Sequence, residues 1–214
     1  MVCLCQGCRV KGLMGDILAM PGRSVFPLLI WLLVALGGCS GIRYSEVAPA
    51  ARDFHPRAIA LLSLDVVPQE EARAVLDRLV TKKLTDKGHF QKVLSADIVQ
   101  GLFLKDETLR QEAAAYLGKL EAVNFSDSDL SREIGRKLGV DALLLVNLDY
   151  WYYTKEAGRN VAKVGMGMRL INAESGLIIW KAGHDLAPDY VFMKPDLSSI
   201  AADVVKQMIG AMPH

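Results

Sequence analysis

The sequence predicts one α/β domain with a mixed sheet covered by helices, preceded by an export signal. Nearly continuous apolar runs at 58–66 and 141–148 are typical of central strands that are buried on both faces. Residues 164–171 alternate in polarity, which predicts a half-buried strand. Segments with helical apolar spacing separate and follow these strands, so we expect helices to cover the sheet.

The predicted elements follow the order β-α-β-α-α-α-β-β-β-α in a globular domain of residues 58–213. Gly88 and Gly139 stand just past helix ends, and Asp196 caps the last helix. Residues 172–176 form a hairpin turn. The early β-α-β crossover is expected to be right-handed. The strands are predicted at 58–66, 90–94, 141–153, 164–171 and 177–184, and the helices at 70–86, 97–122 in two pieces, 130–138 and from 197 onward.

The first 38 residues have the pattern of a signal peptide. Arg23 precedes an apolar run at 25–36, and this run is shorter than the roughly 18–20 residues that a spanning helix needs. We therefore predict that residues 1–38 are removed from the mature protein. Met14 and Met20 are alternative initiators, which would make the start over-extended by up to 19 residues.

The segment Leu36-Gly37-Gly38-Cys39 resembles the bacterial lipobox, in which a leucine and two small residues precede a cysteine. In proteins with this motif the peptidase recognises the three residues, and the cysteine carries diacylglycerol and acyl chains. The resemblance implies a lipid anchor on Cys39, which is stable when more than one chain is buried. An ordinary secretory signal and an uncleaved anchor are the alternatives. Ser40 replaces the aspartate of inner-membrane retention signals, which favours the outer membrane facing the periplasm.

Residues 39–57 show no clear period and contain Pro49 and Pro56. We predict a lipidated tether here. It would reach at most about 60 Å when fully extended, and about 25 Å as a flexible coil. The domain would then stay near its membrane.

Composition excludes several classes of protein. All four cysteines, at positions 3, 5, 8 and 39, lie in the first fifth of the chain, so the domain has no disulfide framework and no thiolate metal site. We predict no metal and no cofactor other than the lipid on Cys39. The 25 basic and 24 acidic residues nearly cancel, which argues against a nucleic-acid binder.

We find no catalytic constellation in the sequence. The four histidines show no metal-ligand spacing, and no nucleophile elbow or phosphate-binding loop occurs. The alternative is a small-ligand-binding or hydrolytic domain. In that case Asp65 and Asp149, at the ends of buried strands, would work with His184. We predict that the protein is not an enzyme.

An aromatic run, Tyr150-Trp151-Tyr152-Tyr153, is the most unusual local feature. Strand alternation sends the first and third side chains to one face and the second and fourth to the other. One pair would pack in the core and the other would be exposed. Because aromatic residues are enriched at interfaces, we predict a partner patch of Tyr150, Trp151, Tyr153 and Phe192.

The C-terminal half carries a recurring pattern. Residues 139–146 have the form G-x-D-A followed by an apolar strand, and residues 164–180 contain R-L-x-N-x-x-S-G and end in a tryptophan. The pattern is similar to the curli secretion lipoprotein CsgG, the penicillin-binding-protein activator LpoB and the amino-terminal domain of TolB. It looks most like a family of bacterial lipoproteins with that fold. The resemblance implies a non-enzymatic envelope protein that binds another envelope protein or assists assembly, with homo-oligomerisation left open.

Overall fold

The computed structural model describes residues 42–63, 70–123 and 125–213, which lie in one compact unit. They form seven strands, five α-helices and a short 3₁₀ helix at Pro49–Asp53. The strands are β1 (Tyr44–Val47), β2 (Ala58–Ser63), β3 (Lys92–Leu94), β4 (Ala142–Glu156), β5 (Arg159–Asn172), β6 (Ile178–Leu186) and β7 (Asp189–Tyr190). The helices are α1 (Glu70–Lys87), α2 (Ala96–Phe103), α3 (Glu107–Val123), α4 (Ser128–Leu138) and α5 (Leu197–Ala211).

All strands belong to one mixed sheet in the order β1-β6-β5-β4-β2-β3, with β7 paired to β5. β2 is parallel to both β3 and β4, whereas β4, β5, β6 and β1 pair antiparallel. The predicted mixed α/β fold is therefore confirmed, and the ten predicted elements occur in the predicted order.

The two faces of the sheet are covered by different helices. Successive apolar side chains of β2 and β4 point to opposite faces, so each strand contributes to both layers. α1 and α5 cover one face, and α2, α3 and α4 cover the other. The first core cluster includes Leu61, Val80, Leu144, Met166, Trp180 and Val204. The second includes Leu62, Tyr116, Ile134, Leu145 and Ile171.

The residues that carry the resemblance have structural roles. The Asp141 carboxylate accepts hydrogen bonds from the backbone N–H groups of Arg57 and Ala58, at 2.8 and 3.0 Å, where β2 begins. The Asn172 side chain accepts from two backbone N–H groups of the following turn. Gly176 ends that turn with a φ of 71°, a conformation that favours glycine. Trp180 is fully buried in the first core cluster.

The predicted tether at 39–57 is wrong over residues 44–57, because these residues are part of the domain. Tyr44–Val47 is the edge strand β1, and Pro49–Asp53 forms the 3₁₀ helix that buries Ala51. β1 is fixed by pairing with β6 and by a 2.9 Å hydrogen bond from the indole Nε1 of Trp180 to Ser45 Oγ. All four residues of β1 are exposed, so no apolar pattern marks the strand in the sequence.

β4 and β5 are longer than predicted and form a long hairpin. Within the described residues β2 pairs with β4 as far as Val146, and β4 continues to Glu156. The two-residue turn at Ala157 and Gly158 has φ values of 49° and 79°, as a tight hairpin turn with positive φ at both positions requires. A bulge at Asp149 shifts the pairing between β4 and β5. We call the end of the sheet that carries this turn the hairpin end.

Candidate functional site

Among the described residues, the second helix layer does not extend over the hairpin end of one sheet face. The core cluster beneath α2, α3 and α4 reaches β4 only at Leu143 and Leu145. Further along, Tyr150 and Tyr152 lie on this face, with Tyr44 of β1 beside β6. Tyr44 is 43% exposed and Tyr152 is 41% exposed. We call Tyr44, Tyr150 and Tyr152 the tyrosine face.

Glycines of the central strands form the floor of the tyrosine face. A Cβ atom at Gly165 would lie 2.6 Å from Cδ2 of Tyr150, and one at Gly183 would collide with the ring of Tyr44. The rings of Tyr150 and Tyr44 therefore pack closely over these glycines, where any larger residue would displace them. Lys163 Nζ lies 4.7 Å from the centre of the Tyr150 ring. The rings of Tyr150 and Tyr152 meet edge to face at 5.9 Å.

A charged cluster borders the tyrosine face at the bulge. Arg43 lies 3.6 Å from a carboxylate oxygen of Asp149 and 3.2 Å from one of Asp185. Asn147 donates a 2.6 Å hydrogen bond to Asp149. Burial raises the pKa of Asp149 above its ordinary value, although Arg43 and Asn147 act in the opposite direction. The guanidinium thus holds two carboxylates side by side.

The structure does not unite the residues of the alternative catalytic prediction. Asp65 lies outside the described residues. His184 is only 3% exposed. It pairs with Met166 and lies on the face covered by α5. Its neighbour Asp185 contacts Arg43 on the opposite face, as alternation along a strand requires. Among the described residues, the Nε2 atom of His184 has no hydrogen-bond partner.

The predicted aromatic patch is divided between two surfaces. Trp151 pairs with Val164 and packs, half-buried, against the first core cluster. Tyr153 lies on the same face as Trp151, nearer the hairpin turn, and is 39% exposed. Tyr150 belongs to the opposite, tyrosine face. Neither pair of the aromatic run is therefore fully buried, contrary to the expectation that one pair packs in the core.

Phe192 lies in an apolar loop that Tyr153 holds at both ends. The Tyr153 ring meets the Tyr190 ring edge to face at 6.0 Å, before the loop. Its hydroxyl donates a 2.8 Å hydrogen bond to the carbonyl oxygen of Pro195, after the loop. Phe192 itself is 98% exposed. Of the four predicted patch residues, the structure thus associates Tyr153 with Phe192 and separates Tyr150 from them.

Sequence reasoning missed the contribution of Tyr44, because that residue lay in the predicted tether. The signal peptide of residues 1–38, the recognition residues Leu36, Gly37 and Gly38, and the lipid site Cys39 all lie outside the described residues. Within 42–63, 70–123 and 125–213, no cluster of three or more histidine, cysteine or acidic side chains has a metal-binding arrangement. No helix in these ranges has both the length and the hydropathy for a bilayer span.

Comparison with solved structures gives the domain its place among known folds. The PelC dodecamer from Paraburkholderia phytofirmans is similar at a TM-score of 0.50 and 13% identity, over 78% of this chain and 92% of that one. Lipoprotein GNA1162 from Neisseria meningitidis matches at a TM-score of 0.47 and 15% identity, over 72% of this chain and 99% of that one. The hypothetical protein CT253 from Chlamydia trachomatis matches at a TM-score of 0.49 and 7% identity, over 72% of this chain and 93% of that one.

These likenesses concern the fold. At 13% identity, the likeness to PelC establishes that both domains share a single-domain α/β architecture. No protein-family model matches the chain, and the comparison with curated proteins found no match.

Proposed function

We propose that this protein is a lipid-anchored envelope lipoprotein that binds another protein through its tyrosine face, without catalysing a reaction. The lipid is carried by Cys39, and the domain faces the periplasm from the outer membrane. The lipobox at 36–39 and the resemblance to CsgG, LpoB and the amino-terminal domain of TolB support this placement.

The tyrosine face is the observation that carries the proposal. Three tyrosines are left partly exposed by a helix layer that stops short of them. Tyrosine supplies a large contact area and a hydroxyl at a low cost in conformational entropy, which is why it is enriched at interfaces. Gly165 and Gly183 let two of the rings pack closely over the sheet. The surface is therefore formed before any partner arrives.

The charged cluster beside the tyrosine face would provide specificity. Arg43 already pairs with Asp149 and Asp185, and its side chain is 45% exposed at these contacts. A partner meets a fixed arrangement of charges here, and mismatched charges across an interface are unfavourable. The partner is thus expected to be a folded envelope protein that complements both the rings and the charges.

A second copy of this chain is the other candidate partner. The fold neighbour PelC is a dodecamer. In addition, among the described strands none pairs with β4 on its β2 side beyond Val146. Open edges pair readily with strands of another chain. Self-assembly along this part of β4 would leave the tyrosine face available within the assembly.

Site-specific photocrosslinking in living cells tests the proposal. A photoreactive amino acid replaces Tyr152 on the tyrosine face, and a matched variant carries it at Phe125. Phe125 is an aromatic residue that is 57% exposed at the other end of the molecule, near the turn that contains Gly176. We expect a discrete crosslinked product from position 152 and none from position 125. A product of twice the monomer mass would identify the partner as a second copy.

Substitutions on the same face then show whether the captured contact is specific. Tyr44→Ala should abolish capture at position 152, because the two residues share the surface. Leu177→Ala, at the opposite end of β6, should leave capture unchanged. Equal capture at positions 152 and 125, or capture that Tyr44→Ala does not affect, would refute the proposal. Mass spectrometry of the purified protein independently tests the lipid on Cys39.

A further inference from the structure

We infer that the loop Val191-Phe192-Met193 inserts into the lipid surface to which the protein is anchored, as a second membrane contact. The inference rests on the proposed lipid at Cys39. It assigns Phe192 to a lipid contact instead of the predicted protein-binding patch.

The exposure of this loop motivates the inference. The three consecutive side chains are 78%, 98% and 86% exposed. Isolated apolar residues on a surface are ordinary, but a contiguous apolar group marks an interaction site. Lys194 follows directly, with its Nζ 4.9 Å from the centre of the Tyr153 ring. Such an arrangement places an apolar tip beside an aromatic ring and a cation, both of which favour the lipid headgroup region.

The described chain enters the sheet at the end that carries the loop. β7 pairs Tyr190 with Asn160, only two residues from the hairpin turn, so the loop begins at the hairpin end. β1 runs antiparallel to β6, with Tyr44 opposite Gly183. Since β6 runs toward the hairpin end, the chain that precedes Tyr44 enters the sheet from that same end.

Chain length limits how far the lipid can be from the loop. Cys39 precedes Tyr44 by five residues, which span at most about 18 Å. Through Gly183, Tyr44 lies in register with Gly167 of β5, whereas Tyr190 pairs with Asn160 of the same strand. Gly167 and Asn160 are seven residues apart. Seven strand residues correspond to about 23 Å. This distance is similar to the greatest span of the connecting segment, and amphipathic segments enter the interface by about 5–10 Å.

The preformed shape of the loop also favours a lipid occupant. Tyr153 holds both ends through Tyr190 and Pro195, so insertion does not require the loop to order first. Apart from Lys194 on the Tyr153 ring, two nearby cations are neutralised locally, since Arg159 pairs with Asp189 and Lys163 with Glu156. The loop thus offers apolar contact and little net charge, and we expect insertion to depend only weakly on anionic lipid.

Depth-dependent fluorescence quenching tests the inference on the full, lipidated protein. The protein is reconstituted in vesicles of phosphatidylethanolamine and phosphatidylglycerol that contain phosphatidylcholine with brominated acyl chains. Phe192→Trp introduces the reporter, and Leu177→Trp is the matched control. Leu177 is an apolar residue that is 53% exposed at the opposite end of β6. The fluorescence of the unsubstituted protein, which comes from its own tryptophans, is subtracted. We then expect at least twofold quenching of the tryptophan at 192 and none at 177.

Two outcomes would overturn the inference. Absence of quenching at position 192 in a protein that remains bound to vesicles would exclude insertion. Similar quenching at both positions would exclude the proposed orientation. If Cys39 carries no lipid, mass spectrometry shows it and the protein fails to float with the vesicles, which distinguishes that failure from failure of the loop. A separate variant with a photoreactive amino acid at position 192 tests for a second copy on the loop, and a crosslinked product of twice the monomer mass would also overturn the inference.

Discussion

The hydroxyl of Tyr153 and the carbonyl oxygen of Pro195 are joined by a 2.8 Å hydrogen bond that closes the apolar loop. The two residues are 42 positions apart in the sequence, and the bond ties the long β4–β5 hairpin to the segment that leads into α5. Together with the edge-to-face contact between Tyr153 and Tyr190, it holds both ends of the loop on one ring. The loop is therefore an ordered feature of the hairpin end.

Removing this hydroxyl should loosen the loop without unfolding the domain. Tyr153→Phe keeps the ring contact with Tyr190 and loses one hydrogen bond, which contributes about 1 kcal/mol. We expect a change in unfolding free energy of about that size or smaller. Amide hydrogen exchange at residues 191–194 should accelerate, whereas exchange in β2 should not change. Unaltered exchange in the loop would show that the hydroxyl does not hold it.

Ser45→Ala should destabilise the protein more than its exposed position suggests. Ser45 Oγ accepts the indole N–H of Trp180, whose side chain is fully buried. An unpaired buried donor costs about 1–3 kcal/mol, and we expect the lower half of this range because β1 lies at the sheet edge. Urea unfolding monitored by tryptophan fluorescence measures the effect.

Glu46→Ala is the matched control for Ser45→Ala. Glu46 is the next residue of β1, and its carboxylate makes only an exposed ion pair with Lys181, at 2.9 Å. Exposed ion pairs contribute about 0–1 kcal/mol. Equal losses for the two variants would mean that β1 is held by its backbone pairing alone.

Local packing decides the sign of glycine substitutions in two helices. Gly135 of α4 faces the turn after β5, where a Cβ atom would lie 2.6 Å from Cβ of Ala173. We expect Gly135→Ala to lower the free energy of unfolding by about 1–3 kcal/mol through overpacking. The higher helix propensity of alanine offsets part of this loss. Gly118 of α3 has no atom within 4 Å of its hypothetical Cβ. Gly118→Ala should therefore gain up to about 1 kcal/mol. Thermal unfolding of both variants measures the contrast, and changes of the same sign would contradict it.

The sequence predicted those elements whose burial leaves a periodic pattern. The run at 58–66 is the central strand β2 as far as Ser63, and residues 64–69 lie outside the described structure. The break near 105–106 separates α2 from α3, as expected. β1 escaped prediction because its four side chains are exposed and its stability comes from pairing with β6. A four-residue edge strand has no pattern of its own.

The candidate site was only partly predictable for a related reason. The aromatic run was visible in the sequence, but the bulge at Asp149 and the end of the second helix layer decide which aromatic residues stay exposed. Both depend on tertiary packing. The association of Tyr44 with Gly183 joins residues that are far apart in sequence. No local spacing encodes that contact, so only the fold reveals the tyrosine face.

Asp149 and Asp196 should respond to pH in opposite directions. Burial raises the pKa of Asp149 in the folded state, so its stabilising contribution is complete below the unfolded pKa and is lost as pH rises through the folded pKa. Hydrogen bonds from the backbone of Ser198 and from Ser199 lower the pKa of Asp196 at the start of α5. Its contribution is present above the unfolded pKa and is lost as pH falls through the folded pKa.

Asparagine at each position removes the titration. The unfolding free energy of Asp149→Asn, measured relative to the wild-type protein, should rise as the pH increases from 3 to 7. The reason is that the variant no longer ionises a half-buried carboxyl. Arg43 keeps its ion pair with Asp185 in this variant. The unfolding free energy of Asp196→Asn, again relative to the wild-type protein, should fall over the same rise in pH. This variant lacks the carboxylate that the helix N-terminus stabilises. Urea unfolding at both pH values measures the two differences. If the differences shift in the same direction with pH, the environments that the structure gives these two carboxylates are wrong.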